Sequence, residues 1–273
     1  MILDYQQWKR ELCVVRGGGD IATGTIYKLF QCGFPLLVLE IANPSCIRRT
    51  VSFCEAVFDG EVEVEGVRAR RADSLKEAYA CFEQGKVPVV VDPEGEMIRE
   101  ASPAVVIDAI LAKRNLGTEI TDAPVVIGVG PGFFAGRDVH AVVETRRGHH
   151  LGRVIYEGEA APNTGIPGVI AGYGKERVIR APATGTLHII KQIGGEVKKG
   201  EPIARIGDAM VEATIDGIVR GMIREGYPVE KGLKIADIDP RITEKENCHT
   251  ISDKARCVAG GVLEAMLHLR RRQ

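Results

Sequence analysis

Short apolar runs broken by glycine turns set the reading of this chain. Leu12-Cys13-Val14-Val15, Leu36-Leu37-Val38-Leu39, Val87-Pro88-Val89-Val90-Val91, Pro103-Ala104-Val105-Val106-Ile107 and Val125-Val126-Ile127 are almost continuously apolar, the pattern of strands buried on both faces. Helix-like stretches lie between them: Thr25 through Phe30, and Ser74 through Gln84, where Leu75, Ala78, Tyr79 and Phe82 fall at helical spacing before Gly85. This alternation predicts an α/β fold on a mostly parallel sheet. Asp59-Gly60, between strand-like runs, predicts a hairpin turn. Residues 1–11 read as a short amphipathic lead-in. The stretch from Ile251-Ser252-Asp253-Lys254 to Arg272 predicts a helix, capped by Ser252 or Asp253, with Val258, Val262, Leu263, Met266 and Leu269 as its apolar stripe. Gly260-Gly261 inside it costs about 1 kcal/mol per glycine against alanine, which points to close backbone packing. Arg270-Arg271-Arg272 suits the negative end of the helix dipole.

From Ile179 the pattern becomes short strands punctuated by glycine, and it repeats. Residues 179–206 align without a gap onto 211–238 at a shift of 32, pairing Gly185 with Gly217, Gly194 with Gly226, Val197 with Val229 and Lys199-Gly200 with Lys231-Gly232. Neither copy can bury its apolar face alone. The pair resembles the barrel-sandwich hybrid of lipoyl and biotinyl carrier domains, and Gly195 to Ile203 resembles that family's turn between strands. In carriers the modified lysine sits on the hairpin joining the copies. Here that hairpin is Gly207-Asp208-Ala209-Met210-Val211, and no lysine lies between Lys199 and Lys231. The resemblance therefore implies a structural or docking module without a covalent lipoyl or biotin. The expected organisation is a Rossmann-like dinucleotide-binding domain over 1–120, a glycine-loop segment over 121–177, the all-β barrel-sandwich hybrid over 178–240 and a C-terminal helix over 241–273.

The candidate chemistry is concentrated in two glycine runs. In Arg16-Gly17-Gly18-Gly19-Asp20-Ile21-Ala22, Gly17, Gly19 and Ala22 fit the G-x-G-x-x-G/A pattern of a dinucleotide-binding turn. Glycine lets backbone N–H groups approach a pyrophosphate, and the helix that follows adds partial positive charge. Glu40, at the end of the second strand, is placed to accept from a ribose hydroxyl. The cofactor-binding candidates here are Gly17, Gly18, Gly19, Asp20, Ala22 and Glu40; a strand–helix turn that binds nothing is the bland alternative. Arg48 and Arg49 fit a 2′-phosphate or a solvated helix face equally, whereas Glu40 on the ribose would repel a 2′-phosphate, which leaves NAD against NADP open. The second run, Gly128-Val129-Gly130-Pro131-Gly132, follows an apolar strand and adds Gly128, Gly130 and Gly132 as backbone able to line a phosphate or cofactor edge. Asp92 and Asp108 fall at strand ends, where open sheets bind ligands and where each would equally cap the next segment. Alternation puts His140, Val142 and Glu144 on one strand face beside this loop. Asp108, His140 and Glu144 are the weak candidates for acid–base work. Pro162 to Gly168 is turn chemistry throughout and reads as a functional loop.

Composition narrows the partners. The 273 residues carry 45% hydrophobic and 27% charged side chains with a net charge of −1, an ordinary globular balance that gives no electrostatic reason for nucleic acid or anionic membrane. Aromatics make up 5%, against a base-stacking surface. No apolar run approaches the ~20 residues that span a bilayer, and a cytoplasmic location is expected. Seven cysteines without a C-x-x-C read as reduced, mostly buried thiols. Cys248-His249 near Cys257 lacks two further ligands at metal spacing, so no metal site is expected.

Several of these runs together resemble one family: 16–24, Thr121-Asp122-Ala123-Pro124 into the 128–136 loop, Asp138 to Thr145, Pro162 to Gly168, and Ile251-Ser252-Asp253-Lys254-Ala255. The chain resembles, over roughly 12–268, the YqeB-type accessory proteins of selenium-dependent molybdenum hydroxylase systems. More distantly, its Rossmann part is similar to XdhC-type chaperones that handle the sulfurated molybdenum cofactor. The resemblance implies a maturation role, a molybdenum hydroxylase client, and a molybdopterin dinucleotide or NAD(P) in the dinucleotide-type site, and it carries over no catalytic residues. An NAD(P)-dependent oxidoreductase and a non-catalytic interaction protein are the competing readings. A homo-oligomer is left open.

Overall fold

The computed structural model describes residues 3–165 and 167–271. Ile166, inside the 162–168 run, and Arg272 lie outside the described residues. The chain divides into two compact units, the first made of 1–44, 52–163 and 251–273 and the second of 45–51 and 164–250.

In the first unit the chain runs α1 (Tyr5–Glu11), β1 (Cys13–Arg16), α2 (Asp20–Gln31), β2 (Leu36–Glu40), α3 (Ala56–Asp59), β3 (Glu61–Val64), β4 (Val67–Arg71), α4 (Leu75–Glu83) and β5 (Val87–Val91). It continues through α5 (Glu96–Ala101), β6 (Val105–Asp108), β7 (Val125–Val129), β8 (Phe134–Ala135), β9 (Ala141–Val143), β10 (Val154–Ile155) and β11 (Gly158–Glu159). Helix α6 (Asp253–Arg270) rejoins this unit much later in the chain. Nine strands form one sheet in the order β10-β9-β7-β6-β1-β2-β5-β4-β3. The inner pairs are parallel, and the edge pairs β10–β9 and β4–β3 are antiparallel. The inner strands β1, β6, β7 and β9 are buried along their whole length, as their unbroken apolar runs require, whereas β4, next to the edge strand β3, mixes buried and exposed positions.

In the second unit the strands are β12 (Val178–Arg180), β13 (Gly185–Ile189), β14 (Glu196–Val197), β15 (Pro202–Ile206), β16 (Ala209–Glu212), β17 (Gly217–Met222), β18 (Pro228–Val229) and β19 (Lys234–Asp239). They form two four-stranded antiparallel sheets, ordered β12-β19-β17-β14 and β16-β15-β13-β18. Strands β13, β14 and β15 recur as β17, β18 and β19 at the repeat shift, and Gly200 and Gly232 take matching positive φ values of 83° and 90°. The exchange is reciprocal: β14 pairs with β17, and β18 with β13. Copies that trade strands share one core, which joins Leu187, Ile203 and Ile206 to Val219, Ile235 and Ile238.

This architecture corrects the expected fold class. The large sheet is mixed, and its second half lacks the crossover helices of a Rossmann-like domain. The chain passes from β6 to β7, and from β7 through β8 to β9, without a helix. The repeat forms two open antiparallel sheets in place of the expected barrel-sandwich hybrid. Sequence periodicity registers the strands themselves, but neither the edge pairings nor a missing crossover leaves a local signal. The expected hairpin turn also moves. Gly60 ends α3 at φ 77°, and the two-residue turn joining β3 to β4 is Glu65-Gly66, both at positive φ.

Helix α6 packs on α2, β7, β9 and β10, which gives the missing crossover face its cover. Its side-chain cap is Ser252, accepting from the Ala255 amide, and Val258, Val262, Ala265 and Met266 are buried. The approach to α2 is close enough that a Cβ on Gly24 would stand 2.7 Å from the Ala255 carbonyl oxygen. A Cβ on Gly261 would stand 2.1 Å from the Gly152 oxygen, whereas one on Gly260 would meet nothing within 4 Å, so of the glycine pair inside α6 only Gly261 answers to packing. Alanine is the better helix former by about 1 kcal/mol, but overpacking against backbone costs about 1–3 kcal/mol. Gly24→Ala is therefore expected to lower the urea midpoint of unfolding, and an unchanged or raised midpoint would show that the helices can separate at no cost.

Candidate functional site

The 17–19 turn divides its glycines between packing and open space. Gly17, at φ 93°, lies where a Cβ would come 3.0 Å from the Ala109 oxygen and Ile110 Cα. A Cβ on Gly18 would come 2.9 Å from the Cys54 amide nitrogen, whose N–H donates to the Gly18 carbonyl. Gly19, the N-cap of α2, carries no side-chain cap, and a Cβ there would meet nothing within 4 Å. Of this run, then, only the third glycine faces room. Behind it, Ala22 is fully buried and Asp20 occupies the first turn.

Glu40 turns back onto this loop. One carboxylate oxygen accepts the Gly18 N–H at 2.6 Å and the other the Ile41 N–H at 3.0 Å. Burial pushes its pKa above the ordinary carboxylate value, with those two amides holding it down in part. A carboxylate has about four acceptor positions, so each oxygen keeps one direction for a further donor. Arg48 and Arg49 are occupied within the second unit, donating to the carbonyls of Asn247, Thr250 and Met222.

Asp108, at the carboxyl end of β6, is buried in a network that the sequence did not reveal. It accepts from Ile110 N at 3.1 Å and from the Thr118 hydroxyl at 2.6 Å, while Arg16 donates to that hydroxyl at 2.5 Å and stands 3.7 Å from the carboxylate. Burial, ahead of every partner, raises the Asp108 pKa. This network pins the 109–118 loop to β1. Asp92 caps α5, accepting the amides of Glu96 and Met97. In the second glycine run, a Cβ on Gly128 would meet the Phe133 ring at 2.6 Å, one on Gly130 the Thr145 hydroxyl at 2.8 Å, and one on Gly132 the Arg114 backbone at 2.6 Å. Each of these three glycines is closed against protein.

His140 and Glu144 lie at opposite ends of β9. His140 precedes the strand, and its Nδ1 accepts the Val126 amide at 3.0 Å, near the amino end of β7. Burial pushes its pKa down. The expected placement of both residues beside the glycine loop fails for His140, because the strand between them carries one to each edge of the sheet. Glu144, at the carboxyl end, is buried and accepts the amides of Arg146 at 2.6 Å and Ala161 at 2.7 Å. Asp108, His140 and Glu144 thus form no shared constellation.

The cation nearest in electrostatic terms to the start of α2 that the sequence did not single out is Lys254, in the first turn of α6. It lies within electrostatic reach of Asp20, Glu144, Asp253 and Arg147. Burial, then Arg147, push its ammonium below the ordinary lysine value, and the three carboxylates hold it up in part. Arg147 and Asp253 are engaged with one another in a bidentate pair at 2.8 and 2.9 Å. Lys254 stands in the quoted 251–255 run, but no spacing rule marks it; the Gly24–Ala255 approach lies one residue away. Among the described residues no group of three or more His, Cys, Asp or Glu side chains could hold a metal ion. No helix among them is long and apolar enough to cross a membrane.

No protein-family model matches the chain. It is 51% identical over 259 residues to the uncharacterized protein YqeB of Escherichia coli (strain K12), covering 95% of this chain and 48% of that protein. This likeness supports the YqeB-type resemblance, and the chain spans about half the length of that curated relative. Solved structures give much weaker likenesses. The apo ectoine utilization protein EutE (DoeB) of Ruegeria pomeroyi is 10% identical, at TM-score 0.27 over 84% of this chain and 86% of that one. An aspartoacylase family protein of Mesorhizobium loti is 11% identical, at TM-score 0.28 over 84% of each chain. The succinylglutamatedesuccinylase/aspartoacylase of Rhodobacter sphaeroides is 16% identical, at TM-score 0.27 over 84% and 85%. Likenesses of this size carry no argument about activity.

The half-buried Glu40 carboxylate makes a signed prediction. A raised native pKa means that the stability it contributes is lost as pH rises through that value. Glu40→Gln does not titrate and keeps an oxygen for Gly18, so the variant should gain on the wild type as pH rises from about 4 to about 7. Urea midpoints across that range measure it; a difference that is flat or of opposite slope would show that the carboxylate is not desolvated.

Proposed function

We propose that this chain is a non-redox accessory protein that holds a phosphate-bearing cofactor at the amino end of α2 and assists its delivery, or that of a selenium species, to a molybdenum hydroxylase. One observation carries the binding half of this reading: Gly19 leaves open space at an uncapped helix start that Lys254 also approaches. An uncapped helix terminus offers unpaired amides and about half a positive charge. Asp20 opposes an anion there, and Lys254 offsets it. The delivery half rests on the YqeB-type resemblance. A molybdopterin dinucleotide and NAD(P) both present the diphosphate such a site would take. The diphosphate would lie over Gly19 against the first-turn amides of α2 with Lys254 beside it, and the cofactor itself would supply any redox chemistry. No observation favours an oxidoreductase, whose acid–base candidates stand apart.

Native mass spectrometry of the purified chain tests the reading, with calorimetry against pyrophosphate, NAD, NADP and a pterin dinucleotide. A retained or titratable diphosphate ligand supports it; the absence of any such binding rejects it. Gly19→Asp, which has room to fold, is expected to weaken diphosphate binding by about tenfold or more through crowding and repulsion. Lys254→Ala should weaken it by about fivefold to tenfold. Because the ammonium is the form that attracts the anion, wild-type affinity should fall as pH rises, starting below the ordinary lysine range, and Lys254→Ala should flatten that fall. For the delivery half, deletion should abolish hydroxylase activity in a host that carries such an enzyme, and full activity in the deletion strain would remove that half alone.

A further inference from the structure

A concavity lies at the opposite edge of the large sheet from the 17–19 turn, where the strands begin. It encloses about 820 Å³ between α1, the turn from α2 into β2 and the turn from α4 into β5. Its walls are apolar, with Phe30, Phe34, Leu36, Phe82 and Val87 turned to it, and Cys32 lies exposed at its margin. Pockets of about 300–1,000 Å³ with apolar walls and few polar groups are the usual form of a small-molecule site.

The charges on the rim select the ligand. Three ionic side chains line it: Arg10, Glu11 and Lys86. Glu11 is drawn to Arg270 at 2.6 Å, and Lys86 to Glu61 at 2.6 Å. Arg10, in the last turn of α1, spends only its Nε, on the Gln6 carbonyl at 3.4 Å, and makes no ion pair among the described residues. Two rim charges are thus neutralised inside the protein and one cation is left over an apolar floor. We infer that this groove binds a small amphiphile, an apolar or aromatic body carrying one negative charge that meets Arg10. The site is separate from the glycine loop, since it sits where strands enter the sheet, and its occupancy does not depend on the function proposed above.

The fold provides its own reporter. Trp8, the chain's single tryptophan, is fully buried and packs at 6.3 Å between ring centroids on Phe82, which walls the groove. The full chain would be titrated with 8-anilinonaphthalene-1-sulfonate, an aromatic anion that accepts energy from tryptophan. Saturable one-site binding that quenches Trp8 emission is expected. Decanoate should displace the probe at a concentration about tenfold or more below that needed by the uncharged decanol. Arg10→Glu, at an exposed position, should weaken probe binding by about tenfold, and Cys32→Phe, which fills the mouth, should abolish it with thermal unfolding unchanged. Absence of saturable binding, equal displacement by decanoate and decanol, or binding untouched by both variants would each overturn the inference. So would a dimer in light scattering that excludes the probe, because the groove would then be an interface between copies.

Discussion

The contact on which the first unit depends is the close approach of α6 to α2, made through Gly24 against Ala255, while Gly261 lets the same helix lie on Gly152 in the segment before β10. The glycines carry no side chain at these meeting points, so α2 and α6 pack closely enough to act as one layer. That layer does two things. It covers sheet strands whose connections carry no helix of their own, and it carries the first turn of α6 to the glycine turn after β1. Arg256 reinforces it, pairing with Glu65 at 2.6 Å and lying over the Tyr27 ring.

Around that contact the polar network is arranged to hold the carboxyl edge of the sheet rigid. Arg16, Thr118 and Asp108 fasten one loop; Glu144 fastens another through two amides; Glu40 steadies the glycine turn itself. Asp108 and Glu144 are buried and Glu40 is half-buried, and each accepts from protein donors. A buried charge without such partners would cost several kcal/mol, so these acids first serve the loops they pin. Room is left where no acid or side chain fills it, at Gly19.

The sequence carried the strands and the repeat because both are local or periodic. Continuous apolar runs at 12–15, 36–39 and 125–127 became buried strands, and the copies at 179–206 and 211–238 placed their strands in matching positions. What it did not carry was set by non-local pairing. His140 and Glu144 share a strand face in alternation, yet β9 carries them to opposite edges of the sheet. Gly60 and Gly66 both look like hairpin glycines, and only the ladder between β3 and β4 decides between them. The absent crossover helices were invisible for the same reason, since their place is taken by a helix from over a hundred residues further along. Lys254 was legible as part of a motif but not as a partner of the first glycine run.

The interleaved strands of the repeat have a consequence for how the second unit comes into being. Since β14 completes the sheet of the later copy and β18 that of the earlier one, no stable half-module exists along the way. A chain emerging from the ribosome would hold the first copy with unmet backbone and exposed Leu187, Ile203 and Ile206 until the last strand, β19, had been made. Assembly of this unit is thus an all-or-nothing event timed by the appearance of its final segment.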